Sequence, residues 1–550
     1  MEDRSDREVL QRYMRQVHAH VAQNDDDVDF DSMSIQQALS SKYGEQVHQG
    51  CMDEVKSWLE NDTGDFVPAS GRKADVLPSK WVLKWKNGKV KARVVARGDR
   101  QKAGLHYGET YAPTISGEAR RMLIAVAAGL DFKLVHLDVV TAFLIPMLED
   151  GEEIFLRLPY HFIVCVRKLG VQVDDDVLLK LHKCVYGLKQ AARRFYKKFA
   201  ATMAGFSMRP AASDECLFVK YEGQIPVGFI GIHVDDALVA GKDEFVQEVK
   251  GFLASKLPIK DLGPPKDWCG LTVASSADGI SVSQGAYVRK LLQKFGMENC
   301  RPAPSPTTAE RLNVDDPASE EERASMVSIP YREAVGALTW LYINTRPDIM
   351  FAVHQVARRT ADPTPAAWRA VKRIFRYLSA TIDYGLVYDR GSTSEIIVYS
   401  DSDWAGDTTR RSTACTVIMM GGSPIAWKVK LIRAISQSAM EGELIAFSEA
   451  GKLTLYVMYV IDGLGMSDQV APRPLRLLGD SMAAMQAIVR GNRTSRSKHI
   501  EVRHFWMRQQ IEDGVFKLVY VPTESNVADI GTKPLGVARF IKLRKLLMSL

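Results

Sequence analysis

Residues 229 to 239 place two adjacent acids, Asp235 and Asp236, inside an otherwise apolar run that begins at Phe229 and ends at Val239. Apolar residues on both sides of a polar pair predict a β-hairpin with the acids at its turn. Crowded carboxylates repel one another, and a buried strand that ends in two of them needs a partner for the charge. Two hard oxygen ligands joined by a third carboxylate are how a chain holds Mg²⁺ against substrate phosphates. Asp138, at the end of the apolar segment that starts at Leu134, is the candidate third acid. The longer run Asp174, Asp175 and Asp176 lacks strand-like flanks and reads as a solvated loop.

Bulk properties narrow the class. A chain of 550 residues has room for about three or four domains. Its 46% hydrophobic and 25% charged content is that of ordinary globular protein. No apolar run approaches a membrane span, so no membrane partner is expected. Seven scattered cysteines without a Cys-x-x-Cys pair argue against a disulfide framework and against a structural zinc site. They fit a reducing, intracellular setting. The net charge of +6 is modest but unevenly spread. Lys80, Lys84, Lys86, Lys89, Lys91 and Arg93 interleave with Trp81 and Trp85, and Lys180, Lys183, Lys189, Arg193, Arg194, Lys197 and Lys198 form a second cluster. Basic stripes with aromatics suit a polyanion.

The organisation is mixed α/β. Residues 1–35 read as a polar tail and 36–300 as a first mixed unit. Within that unit, residues 117–129 read as a helix leading to the Asp138 strand, and 185–206 as a basic helix. Residues 301–330, rich in proline and acids, read as a linker. Residues 331–390 carry apolar spacing for two or three helices. A last mixed unit, 395–550, holds a second set of acids. Asp401 and Asp480 end predicted strands, Glu443 sits on a predicted helix, and Asp529 follows another strand. Four such acids can hold two metal ions for phosphodiester cleavage.

These features occur together with a series of motifs in fixed order. They include Lys80-Trp81-Val82-Leu83-Lys84, Lys91-Ala92-Arg93-Val94-Val95-Ala96-Arg97-Gly98, Glu109-Thr110-Tyr111-Ala112-Pro113 and Leu137-Asp138-Val139-Val140-Thr141-Ala142-Phe143-Leu144. Further on come Tyr186-Gly187-Leu188-Lys189-Gln190-Ala191, Val234-Asp235-Asp236, Asn344-Thr345-Arg346-Pro347-Asp348, Tyr399-Ser400-Asp401-Ser402-Asp403-Trp404 and Ala528-Asp529-Ile530-Gly531-Thr532-Lys533-Pro534. In this order the chain resembles the reverse transcriptase and RNase H portion of copia-type LTR-retrotransposon Pol polyproteins, over residues 36–550.

The resemblance implies a right-hand polymerase with fingers, palm and thumb, then a helical connection, then an RNase H-like domain. It implies that Asp138, Asp235 and Asp236 are polymerase metal ligands, and that Lys91 and Arg93 contact the incoming triphosphate. Phe143 would lie under the incoming sugar, with Gly187 and Gln190 packing against template and nucleotide. Asp401, Glu443, Asp480 and Asp529 would form the RNase H set. The implied cofactor is Mg²⁺, with Mn²⁺ as the alternative ion. The implied partners are an RNA template, a DNA primer, the RNA–DNA hybrid, dNTPs and other parts of the polyprotein. A cytoplasmic particle or the nucleus is the implied location. Several positions depart from the family pattern: His233 replaces a usual aromatic, Ile145-Pro146 a usual Asn-Gly type turn, Trp427 to Leu431 lacks an expected Ser-Lys-Lys-Gln run, and Ala439 and Gly442 replace a usual serine and alanine around Glu443. The alternative reading is a catalytically inactive or repurposed nucleic-acid-binding protein.

Overall fold

The structure is a computed structural model. It describes residue 30 and residues 33–548 apart from 71–74, 87, 150, 315, 392–394 and 491–497, with backbone alone at 498–502. The expected polar tail therefore lies almost wholly outside the described residues. At its end, Ser34 accepts from the Gln37 amide and starts the short helix Ile35–Leu39.

The fingers come first. Five strands lie in the order Gly64–Pro68, Val177–Leu181, Phe155–Arg157, Val76–Lys86, Lys89–Ala96. Along Lys89–Ala96 the pattern alternates. Val90, Ala92, Val94 and Ala96 are buried, while Lys91 and Arg93 take the opposite face. The buried side meets helix Gly44–Glu60, which in turn packs on helix Tyr160–Lys168. This core is separate from that of the rest of the chain.

The palm is a six-stranded, wholly antiparallel sheet. Its order is Ile259–Asp261, Lys133–Val139, Asp236–Gly241, Ile225–His233, Asp214–Glu222, Met208–Ala211. Asp236 lies directly opposite both His233 and Asp138, so the predicted hairpin forms with the acids at its turn. Helix Gly117–Gly129 is buried along most of its length because it is covered on several sides. It meets the palm strands, Gly279–Ser283, Gly385–Asp389 and Ser423–Leu431.

Beyond the palm, a four-stranded sheet joins Asp267–Trp268, Leu271–Ser275 and Gly279–Ser283 to Gly385–Asp389. The fourth strand comes from after the helices Tyr331–Asn344, Met350–Ala357 and Pro365–Ser379, so this sheet crosses the boundary expected near residue 300. The stretch read as a linker is no free tether. Ala303, Ser305 and Ala318 are buried, helix Glu320–Met326 forms within it, and Arg311 pairs with Asp403.

The last sheet runs Ser423–Leu431, Thr413–Met420, Ile397–Ser402, Leu475–Gly479, Phe516–Tyr520. Its first three strands are antiparallel, and the last two join in parallel. Helix Ala439–Gly463 covers it. At 25 residues this helix is long and apolar enough for a membrane by length and composition, yet 67% of its most apolar window is buried within the protein. The architecture is the mixed right-hand-plus-RNase-H-like arrangement that the sequence predicts.

Candidate active sites

The first site is assembled where fingers face palm. Asp138 is the penultimate residue of Lys133–Val139, and its neighbours Leu137 and Val139 are buried. The hairpin turn is tight: Val234 holds a left-handed φ of 61°, a conformation a β-branched residue rarely adopts. The turn is secured by the Val139 amide, which donates to the Asp235 carbonyl at 3.0 Å. Burial is the main force lifting the Asp235 carboxyl to about 6, and the neighbouring charges of Asp236 and Asp138 add to it. Arg93 pulls in the opposite direction. Crowded, partly buried acids of this kind have the donor chemistry of a hard divalent cation site.

The three palm acids are not equivalent. The Asp236 carboxylate is 3.1 Å from Nε2 of His136, which lies two residues before Asp138 on the same strand. Among the described residues, two clusters bring three metal-binding atoms within 4.8 Å of one another, and the palm trio is not one of them. All three acids and Arg93 act on one another's charge around Asp235, and Asp236 is in addition engaged by His136.

From the fingers, Lys91 and Arg93 project toward this field. Loss of hydration and the charges of Arg93 and Lys86 depress the Lys91 ammonium, and Asp138 counteracts them. The Arg93 guanidinium lies 4.6 Å from the centre of the Tyr186 ring. Phe143 meets the same ring edge-on at 5.4 Å. Tyr186 is therefore a site residue to which the sequence reading gave no role, although it opens a motif quoted for the resemblance. Its phenol is pushed up to about 12, chiefly by burial, with Asp235 and Asp138 contributing. Beneath the strand, Glu54 Oε1 accepts from the Val94 amide at 3.1 Å and the Trp58 indole at 3.0 Å. Burial raises its carboxyl.

Gly187 and Gln190 shape the loop that follows Tyr186. Gly187 has a φ of 93°, and a Cβ there would lie 2.2 Å from the Ala96 carbonyl oxygen. Only glycine allows the loop to dock on the end of the finger strand. Gln190 is fully buried. Its amide accepts from Gln101 at 3.0 Å and donates to the His106 carbonyl at 2.8 Å. In the structure it locks the loop against the Gln101–His106 segment.

The basic clusters are partly engaged within the protein itself. Trp85 packs on Phe30 and Tyr43, and Trp81 on His161 and Phe162, so both rings belong to the fingers core. In the second cluster Arg194 pairs with Glu149 and with Glu152 at 3.0 Å, Arg193 with Glu109, and Lys180 with Glu153 at 2.8 Å.

The second site is more compact. Asp401 stands near the end of Ile397–Ser402, Glu443 near the start of Ala439–Gly463, and Asp480 just past Leu475–Gly479. Their carboxylate oxygens lie within 4.8 Å of one another. Asp401 and Glu443 are buried, and both are driven well above the carboxylate range, first by burial and then by the neighbouring acids. Glu443 Oε2 is buried with no hydrogen-bond partner. Three converging acids and an orphaned oxygen fit a hard divalent cation. Gly442 has a physical reason here: a Cβ would lie 2.9 Å from Ser402 Oγ, on the strand that carries Asp401.

Asp529 adjoins Asp401, whose carboxyl it raises by its charge and by a side-chain hydrogen bond, without joining the close group of three. It is fully buried, with Lys533 Nζ at 2.5 Å and Arg539 also paired to it. Lys533 is also 3.7 Å from Asp401, and the Thr532 hydroxyl donates to Asp401 at 2.5 Å. Lys533 and Thr532 are further site residues without a role in the sequence reading. Both lie in the motif that contains Asp529.

Comparison with known proteins agrees with this geometry. Residues 61–309 match the family model described as reverse transcriptase (RNA-dependent DNA polymerase). The retrovirus-related Pol polyprotein from transposon TNT 1-94 of Nicotiana tabacum is 32% identical over 513 residues, covering 91% of this chain and 37% of the relative. That from transposon RE2 of Arabidopsis thaliana is 28% identical over 512 residues, covering 92% and 34%. The chain thus spans about a third of the length of these curated relatives. A foamy viral protease–reverse transcriptase solved with dsDNA shares the fold, with a TM-score of 0.50 at 12% identity over 85% of this chain and 81% of that one. By its family match, its relatives and its architecture, the chain belongs to the reverse transcriptase and RNase H region of copia-type retrotransposon Pol polyproteins.

Proposed function

We propose that this chain is an RNA-directed DNA polymerase whose last domain cleaves the RNA strand of the resulting hybrid. One observation carries the reading. Asp138 and Asp235 on the palm share an electrostatic field with Arg93 and Lys91 on the facing finger strand. Acids that hold cations, facing bases that hold phosphates, are what nucleotidyl transfer from a triphosphate requires.

Asp138 and Asp235 would hold Mg²⁺ or Mn²⁺, with Asp236 as the outer acid steadied by His136. The cation would lower the pKa of the primer 3′-hydroxyl and offset charge on the triphosphate. Lys91 and Arg93 would bind the triphosphate oxygens. Tyr186 fixes the Arg93 guanidinium by stacking, and Phe143 closes the floor under the sugar. Glu54 keeps the finger strand in place from below. In the last domain, Asp401, Glu443 and Asp480 would hold a cation for hydrolysis of the RNA strand, and Asp529 anchors Lys533 beside them. The substrates are then an RNA template, a DNA primer, dNTPs and the hybrid. The setting is an intracellular particle or the nucleus, alongside other parts of the polyprotein.

The test is extension of a DNA primer on an RNA template with dNTPs and Mg²⁺. Template-dependent extension that is lost in Asp235→Asn supports the reading. Tight primer-template binding with no extension by the parent chain would instead make it the catalytically inactive binding protein.

A further inference from the structure

The fingers hold a cluster of nitrogen and sulfur donors whose chemistry differs from that of the carboxylate sites. We propose that His48, His161 and Cys165 form a Zn²⁺ site that staples helix Gly44–Glu60 to helix Tyr160–Lys168. The three ligand atoms lie within 4.8 Å of one another. His48 Nδ1 and His161 Nε2 face each other at 3.3 Å. Two nitrogens bound to zinc at ~2.0–2.1 Å and at the tetrahedral angle are ~3.3 Å apart. The imidazoles therefore already stand at the separation a shared ion needs.

The sequence supplies these groups by helical spacing. His161 and Cys165 are four apart, so they share one helix face. His48 reaches them from the other helix. A site divided between two helices needs no Cys-x-x-Cys pair, which is why cysteine spacing alone argues against it. The donor set is nitrogen and sulfur, which selects zinc over the magnesium suited to the carboxylate sites. Both histidines are half-buried, and this gives the ion a way in. Cys165 is buried and would release its thiol proton to solvent on binding.

Lys168 opposes the ion. Its Nζ lies 3.0 Å from His48 Nε2, and it must swing into solvent when a cation arrives. Removing it should therefore tighten binding.

The full chain, stripped with a chelator and titrated with Co²⁺, tests this. Co²⁺ bound by a thiolate gives a sulfur-to-metal charge-transfer absorption that carboxylate-bound Co²⁺ does not. One equivalent of this absorption, displaced by Zn²⁺, is expected. Cys165→Ser and His48→Gln should each abolish it, Cys300→Ser should leave it, and Lys168→Ala should tighten it at least several-fold. His48 is half-buried, so His48→Gln should preserve the fold by circular dichroism even if Cys165→Ser does not. Absence of the band at tens of micromolar Co²⁺, or its survival in a folded His48→Gln variant, would overturn the assignment.

Discussion

Asp235 and Asp174 are both aspartates outside regular strands, yet their surroundings give them opposite fates. Asp174 is exposed in a loop, whereas Asp235 is pressed between Asp138, Asp236 and Arg93. Asp235→Asn should reduce primer extension by at least about 100-fold, since removing one group that stabilises transition-state charge costs roughly 3–4 kcal/mol. Binding of primer-template should survive, and Asp174→Asn should change nothing. The pH dependence follows from the Asp235 carboxyl at about 6. A raised acid favours the metal-free fold while protonated, and that contribution is lost as pH rises through about 6. The rise in Tm on adding Mg²⁺ should therefore be larger at pH 7.5 than at pH 5.5, as differential scanning calorimetry would show. Phe143 offers the last residue-scale test. Its ring packs edge-on against Tyr186 between the two cores, and as the floor of the proposed sugar pocket it should exclude a 2′-hydroxyl by bulk. Phe143→Val should admit ribonucleotides far more readily while retaining measurable dNTP incorporation. A folded variant with unchanged selectivity would make the ring core alone.

The finger strand Lys89–Ala96 is held in register by a side chain from outside its sheet. Glu54 Oε1 takes both the Val94 amide and the Trp58 indole. Glu54→Ala would leave two buried donors unpaired at about 1–3 kcal/mol each. It should lower Tm and raise the KM for dNTPs as Lys91 and Arg93 lose their support. Glu54→Gln keeps an acceptor oxygen and should cost under about 1 kcal/mol, which urea unfolding can separate from the alanine variant. Legibility in the sequence divides at this scale. The palm hairpin was readable because apolar periodicity and an acid pair both report on local backbone. The start of the basic helix was not. It begins at Ala191 rather than 185, because Gly187 turns left-handed to dock on Ala96, a contact between segments far apart in the chain. The second-site acids Asp401, Glu443 and Asp480 could be picked out by their places at strand ends and on a helix. That Asp529 pairs with Lys533 and Arg539, and that Arg194 is spent on Glu149 and Glu152, depends on tertiary packing that no local pattern encodes.

Among the described residues two large cores divide the molecule unequally, beside a small third cluster of Ala414, Ile432, Ile445 and Ala446. The fingers hold one, and the other runs unbroken from Ile115 in the palm to Met548 in the last helix. Arg121 shows how the second is tied. From the palm helix it donates to the Ile343 carbonyl at 2.8 Å and the Ile425 carbonyl at 2.7 Å, with its guanidinium 4.2 Å from the Trp427 ring centre. Arg346 and Asp348 form a fully buried pair closed by Thr381 and Tyr377, and Arg544 of the last helix reaches the same Tyr377 hydroxyl. Asp480→Asn should stop hybrid cleavage and spare extension, because the two sets of acids stand on different sheets and share no residue. Arg121→Ala should instead weaken both activities together, through loss of stability rather than of a catalytic group. Parallel assays of the two variants, with Tm measured for each, separate the cases. A continuous core also fixes distance. If the palm and the last sheet move as one body while the fingers open and close at a separate seam, the stretch of duplex between them is a ruler of constant length. Each cut in the RNA would then trail the growing DNA end by the same number of base pairs, whatever the sequence being copied.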